Sequence, residues 1–228
     1  MHAPGFYGPS RPPAALRESL DTPRRPLAET IRRMETATAE IAAAAARIVV
    51  EEGLEYGPAK RRAAKQLALS GRAPLPDNET VEDAVREHIA IFCADTQPAE
   101  LRALRELALV WMTRMAEFRP YVGGAVWHGT ATRLSDIYIQ MFCDDCKSAE
   151  ISLIDHKVDY DPQTVTGFHG ESVEALTVAG RSPDLDVVVG VHLMVYDLDD
   201  LRGALRLDGR GRTPRGDIAA LRARLAAD

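Results

Sequence analysis

The hydrophobic residues change their period once along this chain, at Pro120, and that switch constrains the fold more than any other feature. Between Leu27 and Phe118 apolar residues recur at spacings of three and four, the repeat of one helix face. Beyond Pro120 they alternate, the repeat of a strand with one buried side. Proline lacks a backbone N–H and disfavours helical geometry in the residue before it, so a helix arriving at Pro120 must stop. The expected class is α+β, with an N-terminal helical half packed on a C-terminal mixed sheet with flanking helices. The expected units are residues 1–26, 27–120 and 121–228.

The first unit holds Pro4, Pro9, Pro12, Pro13, Pro23 and Pro26, too many for a long helix or a central strand, and is expected to be a disordered arm. Four helices are expected next. The first runs from about Ala28 to Glu52 with Ile31, Met34, Ile41, Ala45 and Ile48 on one stripe and Gly53 as its stop. The second starts near Pro58 and the third covers about Glu79 to Cys93. The fourth opens at Asp95-Thr96-Gln97-Pro98 and buries Leu101, Leu104, Trp111, Met112 and Met115. Met34, Met112, Met115 and Trp111 are all expected in the core. Strands are expected at Val122–Trp127, Ile137–Phe142, Ala149–Ile154, Glu174–Val178 and Leu185–Tyr196, with Cys143-Asp-Asp-Cys-Lys-Ser closing a hairpin between the second and third. Helical segments near Leu198–Leu205 and Arg215–Ala227 end the chain.

Composition removes some functions. A net charge of -6 lacks the basic excess of a sequence-blind nucleic-acid binder, and 6% aromatic residues leave few platforms for stacking bases. Three cysteines do not make a secreted disulfide framework, and no apolar run is long enough for a membrane span. The opening residues carry no apolar signal core, so a reducing cytoplasm is the expected location. Neither G-x-x-x-x-G-K-[ST] nor G-x-S-x-G occurs.

The chemistry-bearing stretch is Val122 to Ile139, V-G-G-A-V-W-H-G-T-A-T-R-L-S-D-I-Y-I. Gly123 and Gly124 let backbone approach a triphosphate without a Cβ in the way. Asp136, heading a strand, can hold Mg²⁺ against those phosphates. A second acid two residues on, on the same strand face, would complete such a metal site; Tyr138 stands there.

These residues resemble the nucleotidyltransferase superfamily of polymerase-β-like fold, especially its small and aminoglycoside-modifying members. Val122-Gly123-Gly124 followed by Asp136-Ile137-Tyr138-Ile139 matches the family's spacing, and Gly129-Thr-Ala-Thr-Arg-Leu-Ser135-Asp136-Ile137 looks like its G-x-A-x-x-x-S-D run. The resemblance implies a nucleoside triphosphate with Mg²⁺ and transfer of a nucleoside monophosphate to an unknown acceptor. It implies Asp136 and Glu150 as metal and catalytic acids, Glu150 reaching the site from the neighbouring strand of the hairpin. It implies Gly123, Gly124, Thr130 and Ser135 at the phosphates, and Arg133 neutralising charge. Tyr138 departs from the pattern, which leaves two readings: an active transferase, or a catalytically degenerate member serving as a nucleotide-sensing or protein/RNA interaction module.

Weaker signals remain. Cys143-Asp-Asp-Cys146 reads as two thiols in an exposed turn; a thiol or zinc centre would need Cys93 or a histidine beside both. His156, Asp159, Asp161 and His169 read as a polar loop, and His128 faces either a nucleotide or the sheet edge. Lys60, Arg61, Arg62 and Lys65 form a basic helix turn, solvated or in contact with RNA or protein.

Overall fold

The computed structural model describes residues 27–227 apart from Arg72 and His169. The expected proline-rich arm and the expected role of His169 lie outside the described residues. Four helices come first: α1 (Leu27–Glu52), α2 (Tyr56–Gln66), α3 (Asn78–Phe92) and α4 (Gln97–Arg114). Asp77 caps α3 by accepting the Thr80 N–H at 2.7 Å. A 3-10 turn at Ala116–Phe118 leads to Pro120. Then follow β1 (Tyr121–Gly123), α5 (Gly124–His128), β2 (Ile137–Cys143), α6 (Cys146–Asp155), β3 (Tyr160–Thr166), β4 (Ser172–Ser182) and β5 (Val187–Asp197). A short α7 (Leu201–Ala204), β6 (Arg215–Gly216) and α8 (Ile218–Ala227) complete the order.

The strands form one mixed six-stranded sheet in the order β3-β4-β5-β2-β1-β6. β2 and β5 run parallel, Tyr138 facing His192 in register, and the other pairs are antiparallel. Parallel neighbours cannot be joined by a tight hairpin, so the chain travels through α6, β3 and β4 between them.

That connection corrects one expectation. Ala149–Ile154 is not a strand but the body of α6. Asp145 caps the helix, accepting the Lys147 N–H at 3.0 Å, and Ala149 and Leu153, four apart, supply its buried side. The alternation in Ala149-Glu-Ile-Ser-Leu-Ile is spent on solvent: Ile151 and Ile154 are exposed. Val122–Trp127 is likewise only a three-residue strand that turns into α5 at Gly124.

Buried apolar residues gather mainly in two clusters. Ile41, Ala45, Ile48, Ala59, Ala63, Val81 and Val85 join α1, α2 and α3. The α4 stripe (Leu101, Leu104, Trp111, Met112, Met115) packs instead with Val122, Ile137, Ile139, Val191 and Leu193 of the sheet. Ile31 and Met34, expected in the core, are exposed because the first turns of α1 run ahead of the residues that cover the rest of it. Among the described residues no helix is long and apolar enough to cross a membrane.

Candidate functional site

A cleft of about 380 Å³ opens between α1–α3 and the β1–β2 side of the sheet. Glu55, Tyr56, Asn78 and Glu82 line it from the helices; Gly124, His128, Thr130, Ser135, Asp136 and Tyr138 line it from the other wall. Four of the residues expected at a site therefore share one cavity: Gly124, Thr130, Ser135 and Asp136. Gly123, Arg133 and Glu150 do not line it.

The loop that carries these groups is fixed from α3 and α4. Gly129, at φ +85, ends α5 in the left-handed conformation that suits glycine. Arg105, 3% exposed, donates to the Val126 carbonyl, Gln97 donates to the carbonyls of Gly129 and Ala131, and Arg86 donates to that of His128 at 2.6 Å. Ser135 Oγ accepts the Thr132 N–H at 3.0 Å, so it shapes the loop as well as lining the cleft. Thr130, 2% exposed, lies near the Tyr56 hydroxyl, but its own Oγ1 completes no well-formed hydrogen bond. A buried hydroxyl in that condition is available to a ligand. Gly53, at φ +70, brings the end of α1 so close to the Leu134 carbonyl that a Cβ there would lie 2.7 Å from the oxygen.

Asp136 is held from β5. Its Oδ1 accepts the Gly190 N–H at 3.1 Å and its Oδ2 lies 3.2 Å from His192 Nε2, whose ring reaches the Thr177 hydroxyl at 2.9 Å. The His192 hydrogen bond is the main reason the Asp136 carboxyl stays below its ordinary range. Tyr138 stacks on the His192 ring at 4.7 Å and donates its hydroxyl to Glu55 at the head of α2. Burial first, then the Glu55 carboxylate, pushes the Tyr138 phenol far above its usual value, so it stays a proton donor at any physiological pH. Burial lowers the His128 pKa, favouring the neutral ring.

Glu150 is elsewhere. On α6 it accepts from Lys147 at 3.0 Å and from the Tyr160 hydroxyl at 2.8 Å. Tyr160 lies on β3, three strands across the sheet from β2 and Asp136, a spacing on the order of 14 Å. The neighbouring-strand position that was to bring Glu150 to Asp136 does not exist, because the expected hairpin is a helix. Arg133 is exposed, its N–H donating to Glu100 at 2.9 Å. Gly123 packs toward Gln140 and Pro214. In the basic turn, Lys60 ties α2 to Pro76 and Asn78, and Arg62 pairs with Glu52. Arg61 and Lys65 are exposed.

The cleft residues Glu55, Tyr56, Asn78 and Glu82 come from the helical half and carry no motif. Neither does His192, which sits on β5 as one more alternating residue. Only its register opposite Tyr138 reveals it. Comparison with protein-family models, curated proteins and solved structures returned no match.

Proposed function

We propose that this chain is a nucleotidyltransferase-like protein put to binding: it takes a nucleotide into the cleft and does not transfer it. The carrying observation is the occupation of the place where a second metal-binding acid would stand. In-line transfer relies on two ions that clamp the attacking and leaving oxygens, hence on paired carboxylates. Here a protonated phenol, Tyr138, fills that place and is bonded to Glu55. Both Asp136 oxygens have partners, and Glu150 is held on α6 by Lys147 and by Tyr160 of β3. Among the described residues no group of three or more histidine, cysteine or acidic side chains is arranged to hold a metal. The residues present do not fit a Mg²⁺ site.

Size and lining support the ligand class. The volume falls within the range of small-molecule sites, roughly 300–1,000 Å³. Tyr56, Tyr138 and His128 offer ring surfaces to a heterocycle, while Asn78, Thr130 and Ser135 offer hydrogen bonds to a ribose. Among the described residues the lining includes Glu55, Glu82 and Asp136 but no lysine or arginine. The base and sugar therefore face inward, and the phosphates stay at the mouth, away from the carboxylates.

A pyrophosphate-release assay tests the loss of transfer. The protein would be incubated with Mg²⁺ and each of ATP, GTP, CTP and UTP, with water, the protein itself and bulk RNA as acceptors. Release is expected to match that of Asp136→Ala. Release well above that variant would make the chain a transferase and overturn the binding reading.

A further inference from the structure

Cys143 and Cys146 occupy a junction that a sequence pattern alone assigns to a hairpin tip. Cys143 is the last residue of β2 and Cys146 the first of α6. Asp144 and Asp145 make the whole link between strand and helix. The turn is held without help from sulfur: Asp145 accepts the Lys147 N–H at 3.0 Å and the Ser148 hydroxyl at 3.3 Å. The two cysteines face each other across this two-residue link, one ending the strand and the other opening the helix. Their surroundings differ. Cys143 is buried, with Sγ 3.9 Å from the Tyr196 carbonyl oxygen, and Cys146 is exposed. Cys93 caps the end of α3 beside the other apolar cluster. The third ligand that a zinc centre would need is missing among the described residues.

We propose that Cys143 and Cys146 form a dithiol site that closes to an intramolecular disulfide by exchange with a low-molecular-weight disulfide such as glutathione disulfide. The accessible Cys146 thiolate attacks one sulfur of glutathione disulfide. That S–S bond breaks, and one glutathione leaves as thiolate and takes a proton from water. Cys143 then loses its proton to solvent, and its thiolate attacks Cys146 Sγ. The Cys143–Cys146 bond forms as the second glutathione leaves. Two protein thiols are oxidised by two electrons, and one glutathione disulfide is reduced to two thiols.

The surroundings set the pace and direction. Burial, then the neighbouring thiol and Asp145, Asp144 and Asp197, push the Cys143 thiol up to about 11. Burial, Asp197, Asp145 and Glu174 raise Cys146. Thiolate is scarce near neutrality, so closure is slow and quickens about tenfold for each unit of rising pH. The same environment withholds stabilisation from the reduced thiolates, so the closed form resists reduction. Nothing in this site depends on the cleft ligand.

The test uses the full chain, incubated anaerobically with glutathione disulfide, quenched with acid, alkylated and mapped by mass spectrometry. The expected peptide carries Cys143 and Cys146 as an internal disulfide, with Cys93 still alkylated. Cys143→Ser is expected to stop at a glutathione adduct on Cys146, and Cys146→Ser to leave Cys143 unmodified. The proposal is overturned if wild-type Cys146 accumulates the adduct without closing. It is equally overturned if both thiols stay alkylatable in the folded chain yet react after denaturation.

Discussion

Gly216→Ala is expected to destabilise the protein by about 3 kcal/mol, the upper part of the range for overpacked cores. Gly216 lies on the two-residue strand β6, opposite Val122 of β1. A Cβ there would lie 2.1 and 2.2 Å from two ring carbons of Trp127. The ring cannot retreat easily. Trp127 is 4% exposed, its Nε1 donates to the Thr213 carbonyl at 2.8 Å, and the Arg224 guanidinium lies 3.7 Å from its centre. Relief would have to come from moving β6 off β1 or α5 off the sheet, and α5 carries the cleft residues Gly124 and His128. Urea unfolding checks the number, with Gly57→Ala as the control. Gly57 sits in α2 where a Cβ meets only the Arg61 guanidinium at 3.6 Å, so that variant is expected to lose nothing.

Glu82→Gln is the second large effect, a loss of about 2 kcal/mol near neutral pH. Glu82 is 7% exposed and joins three segments. It accepts from Arg86 one turn along α3 at 2.7 Å, and from Arg212 of the penultimate loop at 2.7 and 3.3 Å. Arg86 also holds the His128 carbonyl. Burial alone would raise the Glu82 pKa, but the hydrogen bonds from Arg212 and Arg86 outweigh it and bring it below the ordinary glutamate value. A depressed folded-state pKa means the contribution is complete above the unfolded-state value and disappears as pH falls through the folded one. The gap between wild type and Glu82→Gln should therefore be constant above about pH 6 and shrink in more acid solution. A gap that persisted unchanged at the acid end would mean that packing, not charge, makes the difference.

Much of the architecture is legible in residue types. Pro120 separates the helical spacing from the alternating one, and Leu101 to Met115 show the stripe that α4 buries. Gly124, Thr130, Ser135 and Asp136 are near in sequence and remain near in space, because a five-residue helix and a short loop leave them little choice. Ala149–Ile154 was not legible. Six residues cannot separate a period of two from a helix with two exposed isoleucines, and the deciding signal is the Asp145 cap just ahead of them. Glu150 fell with that strand. Arg133, which the resemblance assigns to charge neutralisation, does not line the cleft. Glu55, Glu82 and His192 reach the site from remote segments, and only tertiary packing announces them.

Calorimetric titration tests the central reading most directly. ATP, GTP, CTP and UTP would each be titrated, with Mg²⁺ and with chelator, into wild type and Thr130→Val. Valine keeps the shape of Thr130 and removes its buried hydroxyl, so a ligand that uses this hydroxyl loses about tenfold in affinity. The expected result is that at least one nucleotide binds, equally with and without Mg²⁺, and more weakly to Thr130→Val. Binding that requires Mg²⁺, or no binding by any of the four, contradicts it.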